Sequence, residues 1–198
     1  MRPLPMTASP LYPAVFWTVY ILWFVLESVA AKSRQSGDKS RTRDRGSYRA
    51  ILGALWFSLA LAFALPFVLP QASIAWQRIP VFFAGVGLMI AGLVLRFYSM
   101  SLLGRSFTYD VAVRSGQTVI EAGPYRYVRH PSYTGALLTV AGVGLALDNW
   151  ASFGALVIVM GCAYAYRISI EEAALVQGLG EPYRQYMLRT RRLVPFVF

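Results

Sequence analysis

The sequence has one cysteine, Cys162, and one histidine, His130, among its 198 residues. A single thiol excludes an intramolecular disulfide and a thiolate metal cluster. With only one imidazole beside it, no His/Cys ligand set can be assembled, and metal catalysis is not expected. Acids are scarce as well, nine against nineteen Lys and Arg. No internal repeat, phosphate-cradling Gly-rich loop or Pro, Gly or Ser-rich linker divides the chain, so one unit over residues 1–198 is expected.

What is abundant is apolar. Hydrophobic residues make up 57% of the chain and aromatics 15%, above the roughly 45–50% apolar usage of soluble domains. The formal charge of +10 could suggest nucleic acid, but the cations are confined to the gaps between apolar runs, where membrane topology accounts for them.

A bilayer crossing needs about 20 apolar residues. Five runs approach that ruler: 11–31, 50–69, 79–95, 132–147 and 150–166. The last three are short and are expected to be extended by residues that can snorkel, namely Arg96, Tyr98, Tyr166 and Arg167. Only Asp148-Asn149 separates the last two runs, which predicts a tight antiparallel hairpin. Alternating five spans leaves Arg2 and Arg78 on one side and the other seventeen cations on the opposite one. The positive-inside bias therefore predicts an outside amino terminus and a cytoplasmic carboxyl terminus.

Ser28-Val29-Ala30 resembles a leader cleavage site, yet the apolar segment before it exceeds the usual ~7–15 residues, which favours a retained anchor. The basic loop that follows reads as a solvated stop signal. Gly135, Gly142, Gly144, Gly154 and Gly161 in the last two runs are expected to let helices approach closely. Glu27, an acid inside the first run, is a functional candidate without an evident partner.

Between the third and fourth runs, alternation at Tyr109, Val111 and Val113, then Ser115-Gly116, then Thr118, Val119 and Ile120 predicts two short strands around a turn. The block GPYRYVRHPSYTG, 123–135, follows. Pro131 suits the first turn of a helix, which puts His130 near the cap and aims free backbone donors at water, a seat for a carboxylate or phosphate. After the fifth run, Arg167 and Glu171 are four apart and share a helix face. Because the hairpin is short, they must lie at the same end of it as His130. Tyr183 and Tyr186 are expected to pack, and Arg191 and Arg192 could meet lipid phosphates.

These residues resemble the isoprenylcysteine carboxyl methyltransferases and their relatives among membrane phospholipid methyltransferases. The likeness rests on QTVIEAG, GPYRYVRHPSYTG and RISIEEAALVQGLGEPYRQY followed by Arg192-Leu193-Val194-Pro195, and it covers about 103–195. It implies an all-α integral membrane protein of about five transmembrane helices, with a small cytoplasmic hairpin and a C-terminal helix forming the cofactor site. Three N-terminal spans would occupy 1–100 and the catalytic region 101–198. It also implies S-adenosylmethionine as cofactor, contacted by Gln117, Thr118, Val119, Ile120, Tyr125, His130, Pro131, Ser132, Tyr133 and Glu171, with Asp110 as a further contact in some relatives. Arg167 would be the cation facing a substrate carboxylate. The implied acceptor is a lipidated cysteine or similar amphiphile, taken from among membrane lipids and with no nucleic acid involved.

Elementary chemistry agrees with this assignment. A carboxylate is already ionised near neutral pH and needs no general base, and a guanidinium can hold it in a fixed fork. An amine acceptor must first lose a proton and would favour a base such as Glu171, Glu172 or His130. A phospholipid or small-amine N-methyltransferase is therefore the second reading. A non-catalytic membrane protein or transporter is the third, although paired broken helices and midplane ionisable groups are not evident.

Overall fold

The structure, a computed structural model, describes residues 9–33, 46–74, 77–104, 107 and 117–194. Among them are six α-helices and no strand: α1 (Leu11–Ser33), α2 (Ser47–Val68), α3 (Arg78–Leu103), α4 (Pro131–Ala146), α5 (Trp150–Leu179) and α6 (Glu181–Arg189), with 3-10 turns at Pro70–Ala72 and Gly123–Arg126. The expected strand segment 108–116 and Asp110 lie outside the described residues. Thr118, Val119 and Ile120 form irregular chain there, in no ladder among the described residues.

All five apolar runs are helices, and α1, α2, α3 and α5 are long and apolar enough to cross a membrane. Large apolar side chains such as Leu11, Ile21, Phe57, Val94 and Ile158 face outward on them, as a lipid solvent allows. The fourth run departs from the ruler. At 16 residues, α4 reaches about 24 Å, short of the roughly 30 Å hydrocarbon core. Most of its residues are buried, so its surroundings are other helices rather than lipid.

Two pairs of glycines explain that burial. A Cβ on Gly85 would meet the Gly142 carbonyl and the Ala146 amide at 2.7 Å, and a Cβ on Gly135 would meet the Gly92 carbonyl at 2.6 Å. Gly85 and Gly92 are seven apart on α3, and so are Gly135 and Gly142 on α4. The antiparallel helices therefore touch backbone to backbone at two levels of one seam. Gly144 lies against the Phe153 backbone, whereas Gly154 and Gly161 face open space and do not serve packing as expected.

The α4–α5 connection is the predicted tight hairpin. Asn149 caps α5 by accepting from the Ser152 amide at 3.0 Å and donates to the Leu69 carbonyl at 3.1 Å, while Ser152 donates to the Ala62 carbonyl at 2.7 Å. Buried Asp148 pairs with Arg78 at 2.6 Å. These contacts tie the ends of α2 and α4 to the starts of α3 and α5 at one end of the bundle. α1 leans on α2 and α3 through rings, with Trp17 stacked on Phe63 at 5.8 Å and Tyr12 edge-on to Phe82 at 5.4 Å.

At the other end the chain after α6 returns to the start of α4. The Arg129 amide donates to the Arg191 carbonyl at 2.7 Å, and the His130 amide to the Arg192 carbonyl at 3.0 Å. Arg96 and Arg167, expected to snorkel, are instead buried. The helices carrying them extend past the apolar runs, so both guanidiniums turn inward.

Candidate functional site

Pro131 opens α4 with His130 at its cap, as its fixed backbone angle favours. The donors expected to be free there are largely used within the chain. The Tyr133 and Thr134 amides donate to the His130 carbonyl, and the His130 amide is taken by the returning C-terminal segment. Ser132 lines a small cavity beside this turn.

Tyr133 is the centre of the arrangement. Its hydroxyl donates to the Glu171 carboxylate at 2.6 Å and accepts from Arg167 Nε at 3.2 Å, while Arg167 Nη1 donates to Ser47 Oγ at 2.6 Å. The ring stacks on His130 at 5.6 Å and on Tyr164 at 4.9 Å. Arg167 and Glu171, placed on one helix face by their spacing, are thus joined through a phenol from α4.

Glu172, weighed from the sequence only as a base for an amine acceptor, is the buried anchor. Its carboxylate accepts from Arg129 Nε at 2.8 Å and Arg192 Nε at 3.1 Å, and lies 3.3 Å from His130 Nε2. The signal was the Glu171-Glu172 pair: adjacent helical residues point about 100° apart, so the two acids serve different clusters. Glu27 finds its partner in Arg96, whose guanidinium meets the carboxylate with both nitrogens of one edge, Nη2 to Oε2 at 2.9 Å. Arg96 Nη1 also donates to the Ser132 carbonyl at 3.2 Å.

Two cavities meet at Tyr133. One, of about 80 Å³, is lined by Gln117, Thr118, Val119, Ile120, Tyr125, His130, Ser132, Tyr133 and Glu171, together with Tyr183 and Tyr186. Nine of the ten residues anticipated for cofactor contact are brought to this one space. Pro131 is the exception, since it is buried and shapes the wall from behind. Tyr183 and Tyr186, expected only to pack, also line it. The Tyr125, Tyr183 and Tyr186 hydroxyls are held well above the ordinary phenol value, first by burial, with the Glu171 charge adding to the shift at Tyr125 and Tyr183. They therefore stay protonated and neutral at any physiological pH.

The second cavity, of about 210 Å³, is mostly apolar. Trp23, Phe24, Leu52, Leu55 and Trp56 of α1 and α2 form its sides, and Glu27, Arg96, Arg167 and Tyr133 form its polar head. Phe107 lines both cavities. The two compartments therefore share Tyr133, which bonds the Glu171 carboxylate on one side and the Arg167 guanidinium on the other.

Comparison with known proteins matches residues 85–177 to the family described as isoprenylcysteine carboxyl methyltransferases. A probable protein-S-isoprenylcysteine O-methyltransferase of Oryza sativa subsp. indica is 30% identical over 71% of this chain and 76% of its own length. The corresponding enzyme B of Arabidopsis thaliana is 36% identical over 57% of this chain and 58% of its own, and the one of Schizosaccharomyces pombe 32% over 58% and 49%. The solved structure of a eukaryotic intramembrane Ras methyltransferase superposes with a TM-score of 0.60 at 26% identity, over 73% of this chain and 51% of that one. The chain thus spans about half the length of several relatives it matches.

Proposed function

The chain belongs to the isoprenylcysteine carboxyl methyltransferase family, and from that premise we propose that it transfers a methyl group from S-adenosylmethionine to the carboxylate of a lipidated cysteine or a similar amphiphile, at the cytoplasmic face of a membrane. The observation that carries this reading is the meeting of the two cavities at Tyr133: a small polar one for a diffusible methyl donor, and an apolar one, open between helices, for an oily acceptor. The whole chain acts as one membrane methyltransferase unit, with residues 101–198 supplying the donor site.

The residues present fit the donor. Glu171 lines the polar cavity with a carboxylate suited to an ammonium, Ser132 offers an amide and a hydroxyl suited to a carboxylate, and neutral Tyr125 and Tyr183 give a wall suited to a flat ring system. When bound, S-adenosylmethionine would supply a methyl carbon carried on a sulfonium, whose leaving group is a neutral thioether.

The chain's own task is alignment. Arg167 holds the acceptor carboxylate in a fork, Tyr133 keeps the Arg167 guanidinium and the Glu171 carboxylate in register, and the apolar walls exclude water around the reacting groups. Among the described residues, the charged groups at the head of the apolar cavity, Glu27 against Arg96 and Arg167, sum to one net positive charge. That suits a carboxylate better than a protonated amine.

The test supplies methyl-labelled S-adenosylmethionine and a prenylated N-acetylcysteine to the purified chain in phosphatidylcholine nanodiscs. Base-labile label in the acceptor supports the reading, base-stable label would assign amine transfer instead, and no label would reject both. Glu171→Gln is expected to weaken donor binding about tenfold or more, the scale of one charge-assisted hydrogen bond, measured by isothermal titration. Unchanged donor affinity would remove Glu171 from that role.

A further inference from the structure

The apolar cavity is short along the bundle. Its lining runs from Tyr133 to Val140 on α4 and from Tyr48 to Trp56 on α2, which is about 10–12 Å of helix axis. Beyond that level the space between α1 and α2 is occupied by rings. Tyr20 packs edge-on to Phe63 at 5.8 Å and to Trp23 at 5.7 Å, and Phe24 meets Trp56 across the two helices at 5.4 Å. Phe24 and Trp56 line the end of the cavity, whereas nearer its head α1 offers the small residues Ser28 and Ala31. The aromatic ladder therefore stops where the cavity starts.

Length and volume give the same capacity. Carbon–carbon single bonds of about 1.5 Å at about 111° advance about 1.25 Å each in an extended chain, so the cavity takes about eight to ten of them. With the acceptor carboxylate at Tyr133, the cysteine uses about four, and the rest is close to the roughly seven of an extended geranyl tail and about half of the roughly eleven of a farnesyl tail. A dry cavity of about 150 Å³ takes a benzene ring. By that measure the cavity of about 210 Å³ takes roughly eight or nine carbons.

We propose that the Phe24–Trp56 ring pair determines the acceptor's tail length, and that the tail this chain prefers has about ten carbons, the size of a geranyl group rather than a farnesyl group. This rests on the transfer reading above, with the carboxylate at the Tyr133 end of the cavity. Both rings belong to helices outside the stretch 85–177 matched to the family, so the limit is set by walls of this chain's own. A longer tail must push into packed rings or bend back toward lipid, and either weakens its fit to the cavity.

The experiment supplies N-acetylcysteine carrying a geranyl, farnesyl or geranylgeranyl thioether to the purified full chain in phosphatidylcholine nanodiscs with methyl-labelled S-adenosylmethionine. It compares kcat/KM with the acceptor expressed per lipid, so that partition into the bilayer does not favour longer tails. The unmodified chain is expected to prefer geranyl to farnesyl about tenfold, the scale on which methylenes forced into a packed wall act. Trp56 is 59% exposed, so Trp56→Ala removes the end wall without opening the core. That variant is expected to raise farnesyl relative to geranyl about tenfold. A ring with only a structural or anchoring role would change all three acceptors by one factor and leave their ratios alone.

An unmodified chain that uses farnesyl as well as geranyl, or a folded Trp56→Ala chain with an unchanged ratio, overturns this proposal and leaves carboxyl transfer standing. Absence of base-labile product from every acceptor overturns both. If Trp56→Ala yields no folded protein, Phe24→Ala is read by the same ratio, and if neither folds, the preference of the unmodified chain alone decides.

Discussion

Glu172 accepts from Arg129 and Arg192 and lies beside His130, which joins the end of α5, the entry to α4 and the returning C-terminal segment at one buried carboxylate. Removing an acid from such a site leaves its cations without compensation, which typically costs about 3–5 kcal/mol. Glu172→Ala is accordingly expected to lower the melting temperature sharply in detergent, and Glu172→Gln, which keeps an acceptor oxygen, to lower it less. The neighbouring phenols set a pH limit. Burial raises the folded-state values of Tyr125, Tyr183 and Tyr186 above the roughly 10 of an unfolded tyrosine. The stability linked to these groups is complete below about pH 10 and is lost as pH rises beyond it. Melting temperature plotted against pH should fall above that point, and the Tyr183→Phe variant should show a shallower fall.

At the scale of elements, the α3–α4 seam decides whether the site exists. Gly85 against Gly142 and Gly92 against Gly135 leave no room for a side chain, and through this contact Arg96 reaches the Ser132 carbonyl. Gly142→Val should abolish recovery of monodisperse protein or lower its melting temperature by many degrees. Gly161→Ala, with open space around it, should change stability by no more than about 0.5 kcal/mol. The five apolar runs were legible because lipid demands length and apolarity from any exposed helix. The heptad match between the two glycine pairs was not, since a one-dimensional pattern does not say which helix a glycine meets. For the same reason Gly154 and Gly161 looked like packing residues and are not.

At the scale of the molecule, every group of the candidate site gathers at one end of the bundle, and the Arg78–Asp148 pair marks the other. The positive-inside bias predicts that the site end faces the cytoplasm, as proposed above. A membrane-impermeant maleimide tests this in a Cys162→Ser background. Cysteines introduced at Arg126 and Arg184 should react only when the cytoplasmic side is accessible, and one at Gln71 should react only from outside. Labelling of Gln71 and Arg126 from the same side would contradict the assignment.

By itself the sequence determined that the chain is a helical membrane protein and that His130, Arg167 and Glu171 share one end of a short hairpin, because hydrocarbon thickness, helical period and a two-residue turn leave little freedom. It also pointed to nine of the sixteen residues lining the polar cavity, because their motifs run contiguously along the chain. Only the tertiary structure decided how charges pair across the bundle. Glu27 and Arg96 are 69 residues apart and Arg129 and Glu172 are 43 apart. An ion pair between helices depends on which faces the packing turns toward each other, and those glycine-set approaches are written in no single segment.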